Sequence, residues 1–273
     1  MNNRESRLGK FETQFFAWTQ LRKKSLVATG DIAEALGLTP KQERELLSRM
    51  SRAGLIIRIR NGLYMVPSQI PPGGRWTPGE YKLARALMVD AGATYQIVGP
   101  TAFHQYGLDE QVPNNVSIYN DKISSRRAIG GIEFILIKVA KERLGGAIDL
   151  KLPDGTQVKI SGLARTLMDA VYDWDRFNTL PRAYNWIRSQ KKNPKVINEL
   201  AKLTIQYGNS GTMRRIGCIL ETCQASPHIL RKLKAELRKT RSLIPLVPTL
   251  PDRGDINRDW GVIVNEKTLT KHF

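Results

Sequence analysis

Lys41, Arg44, Ser48 and Arg52 recur three or four positions apart, the spacing that puts side chains on one face of a helix. Arg58 and Arg60 follow at a spacing of two, which puts both on one face of a strand. Ammonium and guanidinium groups laid out along a helix and an adjoining hairpin neutralise phosphates and reach base edges, which is the chemistry of duplex DNA recognition. Thr39, at the entrance to the helix, completes this candidate DNA-contacting set. The competing readings are a solvated polar face and a protein-docking face.

The elements that must position these groups are readable in residues 25–67. Thr29 is expected to cap a first helix, Thr29–Leu36, with Ile32, Ala33 and Leu36 as its inward stripe and Gly37 as its end. Thr39, Pro40 and Gln42 carry the pattern of a capping box with proline at the first helical position, so a second helix starts there. On that helix Leu46, Leu47, Met50 and Ala53 face inward, and Lys41, Arg44, Glu45, Ser48 and Arg52 face outward. Gly54 stops it. Leu55–Arg60 then alternates, Asn61-Gly62 predicts a type I′ turn, and Leu63–Val66 returns. Helix, turn, helix and basic hairpin in that order predict a winged helix-turn-helix.

Enzyme chemistry has weaker candidates. Asp173-Trp174-Asp175 downstream of Ser161-Gly162 is a reversed form of the Gly-Ser turn and metal-binding carboxylates of a nucleotidyltransferase, and its acids are expected to follow one continuous helix. Glu133, Asp149 and Asp154 lack the acid-x-Lys partner of a nuclease. There is no Gly-rich phosphate loop, no His/Cys metal cluster and no Ser-His-Asp set. His104 reads as a packing or capping residue. The expectation is a non-enzymatic protein with no catalytic residues, metal or cofactor. A DNA-targeted enzyme, either a nuclease or a nucleotidyltransferase, and a winged-helix docking module are the alternatives.

The chain of 273 residues, 41% hydrophobic, is long enough for two domains. Pro67–Gly74 reads as a linker, which predicts a DNA-binding domain over residues 1–70 and a second domain over 71–273. The net charge of +18 and pI near 10.1 create a field that attracts polyanions. Residues 1–75 hold 13 Lys/Arg against 6 Asp/Glu, net +7, which leaves +11 for the rest of the chain. Much of that lies in Arg188, Lys191, Lys192 and Lys195, and in Arg231, Lys232, Lys234, Arg238, Lys239 and Arg241, where Leu230, Leu233 and Leu237 form the inward stripe. These runs read as a solvated face or as an anionic partner surface, on flanking DNA or an acidic protein, and the weak balance by acids favours the partner. Cys218 and Cys223 fit no disulfide framework and are expected to be reduced and structural. With no apolar run of membrane-spanning length and no signal-peptide pattern, a soluble cytoplasmic protein is expected.

The fold class expected is α+β: the winged helix followed by a mixed domain that becomes mainly helical toward its C-terminal half. A helix started by Thr77-Pro78-Gly79-Glu80 and running to about Asp90 leads into strands at Tyr95–Val98, Val116–Tyr119 and Glu133–Ile137, with a short helix Thr101–Tyr106 between. A hairpin joins Ala147–Leu152 to Thr156–Ile160. Ser161 is expected to cap Leu163–Val171, with further helices at Leu180–Ser189, Pro194–Tyr207, Thr212–Cys223 and Pro227–Thr240 and a last strand Val262–Val264.

Four segments of this second part, Ala102–Pro113, Ser161–Asp169, Met213–Gly217 and Trp260–Asn265, resemble in sequence and order segments of the AbiEi-type antitoxins. The likeness spans nearly the whole chain. It implies an N-terminal winged helix joined to an antitoxin domain, in a type IV toxin–antitoxin system of phage defence by abortive infection. It also implies a nucleotidyltransferase toxin encoded alongside. By the same likeness the winged helix represses its own promoter through inverted repeats, and the C-terminal domain neutralises the toxin without requiring a stable complex. Within these segments Arg165 and Asp169, spaced i, i+4, read as a helix-surface ion pair or as a family-specific site. Arg214 and Arg215, beside a helix start at Asn209–Thr212, are a candidate phosphate site.

Overall fold

The computed structural model describes residues 8–70, 76–237 and 242–266. Two compact units emerge: residues 1–93 with 122–136, and residues 94–121 with 137–273. Both mix helices and strands, so the protein is α+β.

In the first unit α1 (Lys10–Leu21) leads to β1 (Leu26–Ala28), then to α2 (Pro40–Arg52), β2 (Ile57–Arg60), β3 (Leu63–Met65) and α3 (Glu80–Asp90). Phe15 and Phe16 of α1, Val27, Ile32, and Leu46, Leu47 and Met50 of α2 close one core. The strands order as β1-β3-β2, antiparallel throughout. Trans-sheet packing explains why β3 is buried at every residue: it is the middle strand.

The capping box at α2 forms as expected. Thr39 Oγ1 accepts from the Gln42 amide at 3.3 Å, and Gln42 Oε1 accepts from the Thr39 amide at 2.9 Å. Two local expectations are corrected. Residues 29–36 do not make a helix of two turns. A single turn remains, with the Leu36 amide on the Ile32 carbonyl at 3.0 Å and the Leu38 amide on the Ala33 carbonyl at 2.8 Å, closed by Gly37 at φ 62°. Thr29 is not its cap, because its amide donates to the Gly62 carbonyl at 2.8 Å and extends β1. The wing turn is not type I′: Gly62 has φ 76°, Asn61 does not have positive φ, and the register shifts between Arg58 and Arg60, so a bulge sets the reversal. Ala53, expected inward, is the exposed C-cap of α2.

The chain enters the second unit with β4 (Tyr95–Val98), α4 (Pro100–Gln105) and β5 (Asn115–Asn120). It supplies a hairpin, β6 (Ser125–Ile129) and β7 (Ile132–Lys138), whose residues up to Leu136 belong to the first unit. It returns with β8 (Ala147–Lys151), β9 (Gln157–Ser161), α5 (Leu163–Tyr172), α6 (Trp174–Phe177), α7 (Arg182–Ser189), α8 (Pro194–Tyr207), α9 (Ser210–Thr222) and α10 (Pro227–Glu236). Three short strands end it: β10 (Ile244–Pro245), β11 (Asp255–Asn257) and β12 (Val262–Val264). β4 pairs antiparallel with β5 and parallel with β9, and β9 pairs antiparallel with β8. Helices α5, α7, α8 and α9 enclose the core around Leu167, Met168, Ile187, Leu200 and Ile219.

This partition differs from a single cut at residue 70, and packing explains it. The Gly130 turn between β6 and β7 sits against Ile57 of β2 and Leu83 of α3. Arg60 of β2 grips Asp90 of α3. Ser161 does not cap α5: it ends β9 as a buried residue whose hydroxyl accepts from Gln96 Nε2 at 2.9 Å, and Gly162 takes the cap position. Among the described residues no helix is long and apolar enough to cross a membrane.

Candidate nucleic-acid interface

Helix α2 turns its apolar residues inward and leaves Lys41, Arg44, Glu45, Ser48 and Arg52 exposed, as the periodicity requires. What fixes its angle is Glu43, a residue that the sequence reading passed over. Its side chain is 1% exposed, and its carboxylate accepts from the Gly30 amide at 2.9 and 2.8 Å and from the Ile32 amide at 3.1 Å. The turn before α2 therefore hangs on a carboxylate of α2 itself. Truncation by Glu43→Ala strands two amides, each worth about 1–3 kcal/mol when left unsatisfied, so a urea titration should show a loss of about 2–4 kcal/mol. The signal was available, since an acid at the fourth position of a helix is free to accept from a preceding turn.

Thr39 is exposed, but its hydroxyl is committed to the capping box. Arg49 is half exposed and pairs with Glu12 of α1 at 3.1 Å. Arg58 and Arg60 are both exposed on the wing. They differ in partner. Arg58 donates to Asn61 Oδ1 at the tip, whereas Arg60 makes a fork on Asp90, Nε to Oδ2 at 2.6 Å and Nη2 to Oδ1 at 2.7 Å, and places Nη1 on the Asn61 carbonyl at 2.8 Å. The hydrogen bond from Arg60 holds the Asp90 carboxyl below the usual carboxylate range, against the effect of burial. A depressed carboxyl contributes stability above its unfolded value and loses it as pH falls through the folded one. The wild type should therefore lose stability as pH falls below about 4 by an amount that Asp90→Asn does not show, read by thermal melts across that range.

The second-unit candidates are placed otherwise. Arg165 and Asp169 are 0% and 1% exposed, so theirs is a buried pair and not a helix-surface one. Arg165 Nε donates to Asp169 Oδ2 at 2.9 Å, Nη1 to the Gly145 carbonyl at 2.9 Å and Nη2 to the Arg143 carbonyl at 2.8 Å. Arg143 Nη1 adds a bond to Asp169 Oδ1 at 3.3 Å, and its guanidinium stacks 3.5 Å from the Tyr172 ring centroid. Burial, then Asp169 and Asp173, push the Tyr119 phenol well above its ordinary value, so it stays a donor to Asp173. Asp173 directly follows α5 as its C-cap, as expected, while Asp175 is exposed in the next short helix, α6. Among the described residues no three His, Cys, Asp or Glu side chains converge as a metal cluster would require.

Arg214 and Arg215 do not face solvent together as a phosphate site. Arg214 Nε donates to the Trp260 carbonyl at 2.7 Å and Nη2 to the Ser242 carbonyl at 2.6 Å, and Arg215 Nε donates to the Pro245 carbonyl at 3.2 Å. Both guanidiniums bind the C-terminal segment down. The four motifs thus meet in pairs: Tyr106 donates to the Ser161 carbonyl at 2.9 Å, and Gly217 lies so close beneath the Trp260 ring that a β-carbon would overlap it. Gly217→Ala should destabilise the protein by about 1–3 kcal/mol or more through overpacking, measurable as a lowered urea midpoint.

On α10, Arg231 and Lys232 are exposed, while Lys234 is drawn to Asp259 at 2.6 Å and to Glu221 at 3.7 Å. Arg238 and Lys239 lie outside the described residues. His104 is exposed, in the last turn of α4. Both cysteines are free, and burial pushes Cys218 up to about 12.

Three-stranded wing, basic outward helix and a preceding turn define the first unit as a winged helix-turn-helix module. Residues 20–67 match the family model described as a transcriptional regulator, AbiEi antitoxin. The whole fold is similar to the crystal structure of the RV2827C protein from Mycobacterium tuberculosis, at 14% identity and TM-score 0.61, over 94% of this chain and 92% of that one. At that identity the likeness is one of fold. A comparison with curated proteins gives no match.

Proposed function

We propose that this chain is a DNA-binding transcriptional autorepressor and the antitoxin of a type IV toxin–antitoxin system, acting in the cytoplasm against a nucleotidyltransferase toxin in phage defence. The observation that carries the reading is the exposed row Lys41, Arg44, Ser48 and Arg52 on α2, within the segment that matches the AbiEi antitoxin regulators. In this reading α2 enters a major groove of the protein's own promoter, with one copy on each arm of an inverted repeat. Thr39 lies at the backbone end of α2, and Arg58 and Arg60 hold the phosphate strand beside the groove. Phosphate contacts set affinity and its salt dependence, and groove-facing side chains set sequence preference.

The second unit, which holds most of residues 71–273, serves as the antitoxin domain, with Arg231 and Lys232 in the surface open to an anionic partner. Arg165, Arg214 and Arg215 act there from inside, by holding that domain's shape. The protein acts by binding and not by turnover, without metal or cofactor. Two experiments test the reading: retardation of the upstream promoter in a gel shift, and rescue of growth when the chain is co-expressed with the neighbouring nucleotidyltransferase gene. Absence of both would overturn it.

A further inference from the structure

A half-open cavity of about 550 Å³ lies in the second unit between the ends of α7 and α9, lined by Arg188, Lys191, Lys192, Thr222, Cys223 and Gln224. No carboxylate lines it, and among the described residues none of its three cations has an ion-pair partner. Arg188 Nη2 is buried without a hydrogen-bond partner. Glu221, at the neighbouring position of α9, is turned elsewhere: it accepts from Asn257 Nδ2 at 2.8 Å and from Trp260 Nε1 at 3.2 Å.

Compensation of helix ends does not account for so much charge. Two helix C-termini carry roughly −0.5 each, about −1 together, against three full positive charges. The last carbonyls of α9 are also already satisfied, Ile219 by Cys223 at 3.1 Å, Leu220 by Ala225 at 3.0 Å and Glu221 by Gln224 at 3.0 Å. About two positive charges remain in excess on a concave surface, where the potential is focused.

We propose that this cavity binds the polyphosphate chain of a small molecule, with Arg188, Lys191 and Lys192 donating to phosphoryl oxygens. The volume is within the range of small-molecule sites, roughly 300–1,000 Å³, and exceeds what one phosphate group fills. Among the described residues the lining holds no aromatic ring, so recognition rests on the phosphate chain. The Thr222 hydroxyl donates to the Ile219 carbonyl at 2.7 Å, which leaves the cations to carry the binding.

Cys223 supplies a reporter inside the cavity, since it is half-buried and free while Cys218 is fully buried. Burial pushes the Cys223 thiol up, and Thr222, then Arg188 and Lys191, pull against that, so a bound anion that screens the two cations should slow alkylation. The experiment follows N-ethylmaleimide labelling of the full chain with tripolyphosphate, ATP or duplex DNA at constant ionic strength, with calorimetry in parallel. Saturable protection is expected. The double variant Lys191→Glu/Lys192→Glu, both positions exposed, should keep the wild-type melting temperature and bind about tenfold or more weakly. Tighter binding of ATP than of tripolyphosphate assigns a nucleotide, and equal binding assigns a free polyphosphate. Protection by neither, equal binding by the double variant, or protection by DNA alone would overturn the proposal.

Discussion

Reversing charge at two positions of α2, Arg44→Glu with Arg52→Glu, should raise the Kd for promoter DNA by about 10²–10⁴. Each lost charge-assisted contact is worth about 1.5–3 kcal/mol, and every 1.4 kcal/mol is a factor of ten. Both side chains are exposed and neither holds the core, so circular dichroism and the melting temperature should stay at wild-type values. Fluorescence anisotropy at one fixed salt concentration reads the change. An affinity within about threefold of wild type would mean that this face of α2 does not meet DNA.

The second large effect is on stability. Asp169→Ala should cost about 3–5 kcal/mol, because it leaves the buried guanidinium of Arg165 and much of that of Arg143 without their carboxylate. For a protein of this size each kcal/mol moves Tm by about 2–4 °C, so a fall of roughly 6–20 °C is expected in calorimetry. The control is Arg165→Met with Asp169→Leu, which removes both charges together and should recover much of the loss. A double variant as unstable as the single one would show that the carbonyl bonds to Gly145 and Arg143, and not the ion pair, carry the clasp.

The core-facing periodicity of α2, its capping box and the basic wing were legible because each is local: their spacing is set by helix and strand geometry alone. Helices α5, α7, α8 and α9 were legible for the same reason, and α8 falls at Pro194–Tyr207 as the pattern predicts, whereas the short α6 was not foreseen. What escaped depends on distant partners. The first helix of the pair shrinks to one turn because Glu43, eleven residues beyond Ile32, satisfies its amides and the strand claims Thr29. Strand β6 carries Arg126 and Arg127 in place of an apolar alternation and, among the described residues, is an edge strand paired with β7. Arg165 and Asp169 have the spacing of a surface pair, and only the packing of Gly145 and Tyr207 around them shows that they are interior. Arg214 looks like a free cation until the carbonyls of residues 242 and 260 arrive from the C-terminal segment.

The most direct test is a gel-shift titration of the intact protein on its own upstream DNA and on scrambled DNA of equal length, across a series of salt concentrations with Mg²⁺ present. The account predicts selective retardation of uncut promoter. It also predicts a steep log Kd against log salt dependence that flattens by about one to two in slope when Arg58 and Arg60 are both replaced by alanine, at about 0.9 per phosphate contact. Equal weak binding to both DNAs, or an unchanged slope in the double variant, would contradict the winged helix as a promoter reader. Cleaved DNA would put an enzyme in its place.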